Sequence, residues 1–229
     1  NTGIDYSKNN LIFCLDSDNV LAPRIVPVLK KYLLENNADV ATFGELHFFK
    51  DDIKKITHKW IFKDNQIELK DALAGYKWPG PSGNYLFTKR SWLNAGRYNE
   101  SIGGAYDSWA FGIKQLAMGS KMITMKNSFY YHRAGHESAF IRDKDKIKPS
   151  LIALSVLINF LDLIEEEDVD YIMSKEHRYS WFDNLEKRPI SLKKSAVGID
   201  GFKTTNLEQK RHLGFMDKVV KKIKYILKK

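Results

Sequence analysis

Asp16 and Asp18 stand two residues apart, directly after the apolar run Leu11-Ile12-Phe13-Cys14-Leu15. Carboxylates at i and i+2 in a loop can converge on one hard cation, alone or together with a diphosphate. The competing reading is a solvated turn or a helix N-cap, since Asp and Asn both cap well. Asp107 follows Gly103-Gly104-Ala105-Tyr106 and opens a stretch of helical spacing. There it can act as a general base toward an incoming hydroxyl, or it can cap its own helix. His132 and His136 come just after Phe129-Tyr130-Tyr131. A histidine at a strand end can add a nitrogen ligand to an acidic metal site. His47, His58, His177 and His212 have no such context and read as structural.

These residues need elements to position them. The run Leu11 to Leu15 reads as a buried, parallel strand. Pro23 to Glu35 has helical spacing and stops at Asn36-Asn37; Asp39 to Phe49 reads as a strand. A short strand at Trp60 to Phe62 and a short helix at Glu68 to Tyr76 follow. Trp78-Pro79-Gly80-Pro81-Ser82-Gly83-Asn84 holds two prolines and two glycines and must be a loop. Tyr85 to Thr88 is then a strand and Lys89 to Ala95 a helix closed by Gly96. Asp107 to Met118 is helical up to Gly119. Lys121 to Met125 and Ser128 to Tyr131 read as two strands, and Ser150 to Glu165 as a strong helix after Pro149. Strand, acidic loop, helix, strand begins an α/β pattern, in which ligands bind at the carboxyl ends of strands.

The bulk numbers exclude several classes. With 229 residues, 43% hydrophobic and 28% charged, the chain can bury a real core. One cysteine, Cys14, allows no internal disulfide and no Cys-based zinc site. The apolar stretch Leu151 to Ile164 falls short of the roughly 20 residues that span a bilayer. The net charge is +9, and Lys193 to Lys229 carries eleven Lys/Arg against three acids. A basic tail on a near-neutral body suggests an anionic membrane surface, or solubility alone, and not a nucleic-acid partner. Phe215 to Lys229 reads as a basic amphipathic helix, suited either to a membrane interface or to packing on the body. The chain opens Asn1-Thr2-Gly3, without Met and without a signal peptide, which is expected of a processed product or a fragment.

The order of these features resembles the second half of family 2 glycosyltransferases with the GT-A fold. The matching stretches are Asn10 to Asn19, Gly83-Asn84-Tyr85-Leu86-Phe87-Thr88-Lys89, Asn94 to Glu100, Tyr106 to Gly112, and Tyr130-Tyr131-His132-Arg133. The resemblance covers about residues 1 to 142. It implies a partial GT-A-like mixed sheet flanked by helices over 1–145, and a helical C-terminal extension over 146–229. Asp18 would bind Mn²⁺ or Mg²⁺ on the diphosphate of a nucleotide sugar. Asp16 would hold the ribose or assist the metal, with Gly83 and Asn84 beside the donor. His132 would add a metal ligand or a diphosphate contact, and Asp107 would be the base of an inverting transfer.

Tyr106 stands where many relatives carry Glu, and only about fifteen residues precede Asp16 where relatives have about a hundred. The chain is therefore expected to lack the N-terminal part of the nucleotide-binding region, and alone to aggregate or bind nucleoside diphosphates poorly. Implied partners are a nucleotide-sugar donor and a glycan or lipid-linked acceptor at the cytoplasmic face of a membrane. The other reading is a truncated, inactive transferase-like binding module.

Overall fold

The structure is a computed structural model. It describes residues 1–63, 65–75, 77, 79–80, 83–102, 107–138, 141–142, 155–158, 161–173 and 189–192. The chain divides into two units, Asn1–Lys193 and Lys194–Lys229. The second unit, and with it the expected helix at Phe215 to Lys229, lies outside the described residues, as does the loop with Tyr106.

The first unit is built on a mixed sheet. Its strands are β1 (Leu11–Phe13), β2 (Val20–Leu21), β3 (Val40–Phe49), β4 (His58–Ile61), β5 (Gln66–Ile67), β6 (Leu86–Thr88) and β7 (Met122–Arg133). The order is β1-β6-β3-β7-β2, with β4 on β3 and β5 on β7. The helices are α1 (Thr2–Tyr6), α2 (Ile25–Glu35), α3 (Leu69–Leu73), α4 (Lys89–Asn94), α5 (Asp107–Ala117) and α6 (Glu166–Met173). No described helix is long and apolar enough to cross a membrane.

β3 is central and buried on both faces, which explains its long apolar run. One core cluster joins Ala41, Phe43, Leu46 and Phe48 with Leu29 and Leu33 of α2. Pro27 sits in the first turn of α2, where its missing N–H breaks no helical bond. Asn37 ends that helix with φ +46°, a left-handed conformation that Asn tolerates. A second cluster joins Val40 and Met122 with Trp92, Trp109, Phe111 and Ile113 of α4 and α5. In α4, the Thr88 hydroxyl accepts from Ser91 N at 3.0 Å, a cap contributing about 1 kcal/mol.

Three expectations change. β1 is antiparallel to β6, not parallel, with Leu11 opposite Thr88; an apolar run specifies burial, not the direction of the partner. The two strands expected at 121–125 and 128–131 are one strand, β7, parallel to β3 with a bulge. Phe43 pairs with Met125 and Glu45 with Phe129, so three β7 residues stand opposite Gly44. A Cβ on Gly44 would lie 2.7 Å from the Met125 carbonyl oxygen, and Gly44 N donates instead to Ser128 Oγ at 3.1 Å. The polar pair Lys126-Asn127 that reads as a break is the bulge itself. Of the helix expected across Ser150 to Glu165, residues 155–157 are helical, and 150–154 and 159–160 lie outside the described residues. A 3₁₀ turn at Leu161–Leu163 and a bridge from Ile164 to Leu192 come next. α6 follows, with Glu166, Glu167 and Asp168 in its first turn, where the helix dipole favours acids.

Candidate active site

The loop from Cys14 to Asn19 carries the chain from β1 to β2, at opposite ends of the strand order. It is held by side chains from both sides. Asn84, 1% exposed, receives the Asp16 N–H on its Oδ1 at 2.8 Å and donates its Nδ2 to Asp16 Oδ2 at 2.8 Å. Asn19 Nδ2 donates to the same oxygen at 3.2 Å. Asn19 Oδ1 in turn accepts from Arg133 N at 2.9 Å, which anchors the loop on β7. Asn84 Nδ2 also reaches the Tyr130 hydroxyl at 3.4 Å, and that hydroxyl lies 3.5 Å from His132 Nδ1. Gly83 precedes this residue with φ +76°, a conformation L side chains rarely adopt. The expected pair Gly83-Asn84 therefore orients Asp16, through Asn84 as the working residue.

Burial raises the Asp16 carboxyl above the usual aspartate range; Asn84 opposes that rise and the charge of Asp18 adds to it. Asp18 Oδ2 meets His136 Nε2 at 2.8 Å. His132 senses the charge of Asp18, but burial dominates and lowers its pKa to about 4, so it is neutral at pH 7. Neutral imidazole is the form that binds metals. The resemblance singles out His132, while the ring in contact with Asp18 is that of His136, four residues further on. His136 Nδ1 is buried without a hydrogen-bond partner among the described residues.

Among the described residues no three His, Cys, Asp or Glu side chains gather closely enough to hold an ion. The Asp18–His136 pair nonetheless fits one. Ligands at about 2.0–2.2 Å from a common ion lie about 3 Å apart, close to the observed spacing. Mg²⁺ is typically held by one or two protein ligands, with substrate phosphates and water completing its sphere.

Asp107 opens α5. Its Oδ1 accepts from Ser108 N at 2.7 Å. Burial raises its carboxyl, the charge of Asp16 raises it further, and the Ser108 bond opposes the rise. The two carboxylates thus share one electrostatic neighbourhood. Cys14 shares it as well: burial pushes its thiol up, Tyr98 hydrogen-bonds it, and the charges of Asp16 and Asp107 both reach it. Beneath lies a buried polar chain from Tyr85 to Gln115 (3.1 Å), Ser91 (2.9 Å) and Ser120 (2.8 Å). Tyr130, Asn19 and Tyr98 lie within the stretches that carry the family resemblance, but residue type and spacing do not mark them as site residues.

No protein-family model and no curated protein sequence matches the chain. Solved structures do. S. aureus TarS 1–349 in complex with UDP-GlcNAc aligns with a TM-score of 0.59 at 13% identity, covering 79% of this chain and 52% of that one. The same protein in complex with UDP aligns at 0.56, 13%, 79% and 50%. A longer S. aureus TarS structure aligns at 0.54 and 16%, covering 79% of this chain and 30% of that one. The chain thus spans about half the length of TarS 1–349 and has its fold: a GT-A-like mixed sheet with flanking helices.

Proposed function

We propose that this chain is the acceptor-side catalytic portion of a nucleotide-sugar-dependent, inverting glycosyltransferase. The observation that carries the reading is Asp107, half-buried at the start of α5 within electrostatic reach of Asp16, on a fold shared with a protein solved with UDP-GlcNAc. Asp107 takes the proton of the acceptor hydroxyl as its oxygen attacks the anomeric carbon. The bond from that carbon to the diphosphate oxygen breaks, and its electron pair leaves with the nucleoside diphosphate. The helix N-terminus favours the ionised carboxylate before transfer, and burial strengthens it as a base. Asp16, fixed by Asn84, would face the ribose, and Asp18 with His136 would hold a divalent ion, neutral His132 standing alongside. Mn²⁺ or Mg²⁺ bound there would supply the positive charge that offsets a leaving diphosphate.

A uridine nucleotide is the donor to test first, and a glycan or lipid-linked glycan the acceptor. The proposal requires UDP, titrated calorimetrically in Mn²⁺, to bind the wild-type chain, against the poor binding expected of a chain lacking the N-terminal part of the nucleotide-binding region, and Asp18→Asn should abolish that binding. His136→Ala should weaken it more than His132→Ala. Equal affinity in the presence of excess chelator would remove the metal from the account.

A further inference from the structure

The sheet carries two rows of side chains across β4, β3 and β7. Trp60, Leu46 and Tyr130 pair in one row, and His58, Phe48 and His132 in the next. Residues directly opposite one another in a sheet share a face, so all six lie on the side that carries the Tyr130–Asn84–Asp16 connection. At the β7 end the rows run into the candidate site. At the β4 end they surface: Trp60 is 38% exposed and His58 is exposed, whereas Phe48 between them and His132 is 5% exposed.

The rings are fixed in place. His58 lies flat on Phe48, with centroids 4.2 Å apart and planes 9° apart. Trp60 and His132 both meet Phe48 edge-on, at 4.8 and 4.9 Å. Thr57 Oγ1 bonds the Phe48 carbonyl at 3.1 Å and lies 3.1 Å from His58 Nδ1, which locks the corner. Rings already ordered lose little freedom when a ligand lands on them.

We propose that Trp60 and His58, continuous with His132 through Phe48, form a shelf on which the saccharide chain of the acceptor docks. The proposal rests on the glycosyltransferase reading and names a substrate subsite for it. A sugar ring presents slightly positive C–H groups on one face, and these match the negative face of an aromatic ring. β4 lies three strands from β2, where the acidic loop ends, or about 14 Å at the usual strand spacing. That is longer than one sugar ring, so the occupant is an oligosaccharide or polymer, bound at the shelf while its terminal hydroxyl reaches Asp107.

The test uses wild-type chain, Trp60→Ala, Trp60→Phe and His58→Ala on a printed glycan array graded from monosaccharides to oligosaccharides. Calorimetry with UDP and Mn²⁺ runs in parallel. Wild type should retain oligosaccharides over monosaccharides. Trp60→Ala should bind them about ten-fold more weakly, the weight of one stacked ring, and Trp60→Phe should keep most of the affinity. UDP affinity should be equal in all four proteins, which also reports that each variant is folded. Oligosaccharide binding that Trp60→Ala leaves intact overturns the shelf, as does a wild-type chain that retains no glycan. Concentration-dependent self-association lost in Trp60→Ala, without glycan binding, assigns the face to a second copy and also overturns it. If UDP does not bind while glycans do, the donor reading fails and the shelf stands.

Discussion

Asp107 senses the charge of Asp16, and both carboxyls are raised by desolvation, yet the protein secures them differently. Asp16 is clamped: its backbone N–H and its Oδ2 are both taken by Asn84, and Asn19 adds a second donor to the same oxygen. Asp107 takes its hydrogen bonds from the local backbone, Ser108 N–H at 2.7 Å among them. A carboxylate ringed by donors is a positioned group whose ionised form those donors favour. A carboxylate desolvated with little compensation is a group ready to accept a proton. Similar pKa directions therefore serve different purposes, and the hydrogen bonds tell them apart.

The largest test of that contrast is Asp107→Asn. Amide Oδ1 still accepts from Ser108 N, so the fold is kept while the base is lost. Turnover should fall by about 10²–10⁴-fold, the usual weight of a general base, with UDP affinity unchanged. The melting temperature at neutral pH should hold or rise, because a buried charge has been removed. A clear loss of stability would show that Asp107 is a structural cap instead.

Asn84→Ala should do the reverse. It strips Asp16, which is exposed in the acidic loop, of its main hydrogen-bond partner, at about 1 kcal/mol, or a few degrees of melting temperature for a chain of this size. Nucleotide affinity should fall with it. Unchanged stability would mean that Asp16 is solvated and not clamped.

The smallest effect is on pH dependence. A carboxyl raised in the folded state holds its proton more tightly there than in the unfolded chain. Asp107 therefore adds stability as pH falls from its raised value toward the ordinary value of about 3.9, and subtracts from it at higher pH. Turnover runs the other way, because only ionised Asp107 can accept the proton. The acid limb of the rate profile should lie above the ordinary aspartate range and outside the pH region in which the wild-type protein melts. An acid limb at an ordinary aspartate value would place the base elsewhere.

Much of this was legible in sequence because local chemistry decided it. The acidic pair after an apolar run, the proline-glycine loop before Asn84 and the helix opening at Asp107 all follow from residue type and spacing. The rest depended on pairing across the sheet. Nothing local says that Leu11–Phe13 runs antiparallel to Leu86–Thr88, or that Lys126-Asn127 is a bulge opposite Gly44 and not a break. The same limit hid the Asp18–His136 contact, since both histidines follow the same strand and only the turn after Arg133 decides which one returns to the acidic loop. Tyr130 read as an ordinary buried strand residue; its hydroxyl becomes part of the site because Asn84 approaches from 46 positions away in sequence.

The central claim is that Asp107 is the base at a nucleotide-sugar site, and it can be tested before the acceptor is known. In such a site water can replace the acceptor, releasing UDP slowly from the correct UDP-sugar. UDP release should be followed from a panel of UDP-sugars in Mn²⁺, for the wild-type protein and Asp107→Asn, with UDP affinity measured on both. The account predicts release by the wild type from at least one donor and its loss in Asp107→Asn at equal UDP affinity. Release from Asp107→Asn at the wild-type rate, or none from any donor by the wild type, would contradict it.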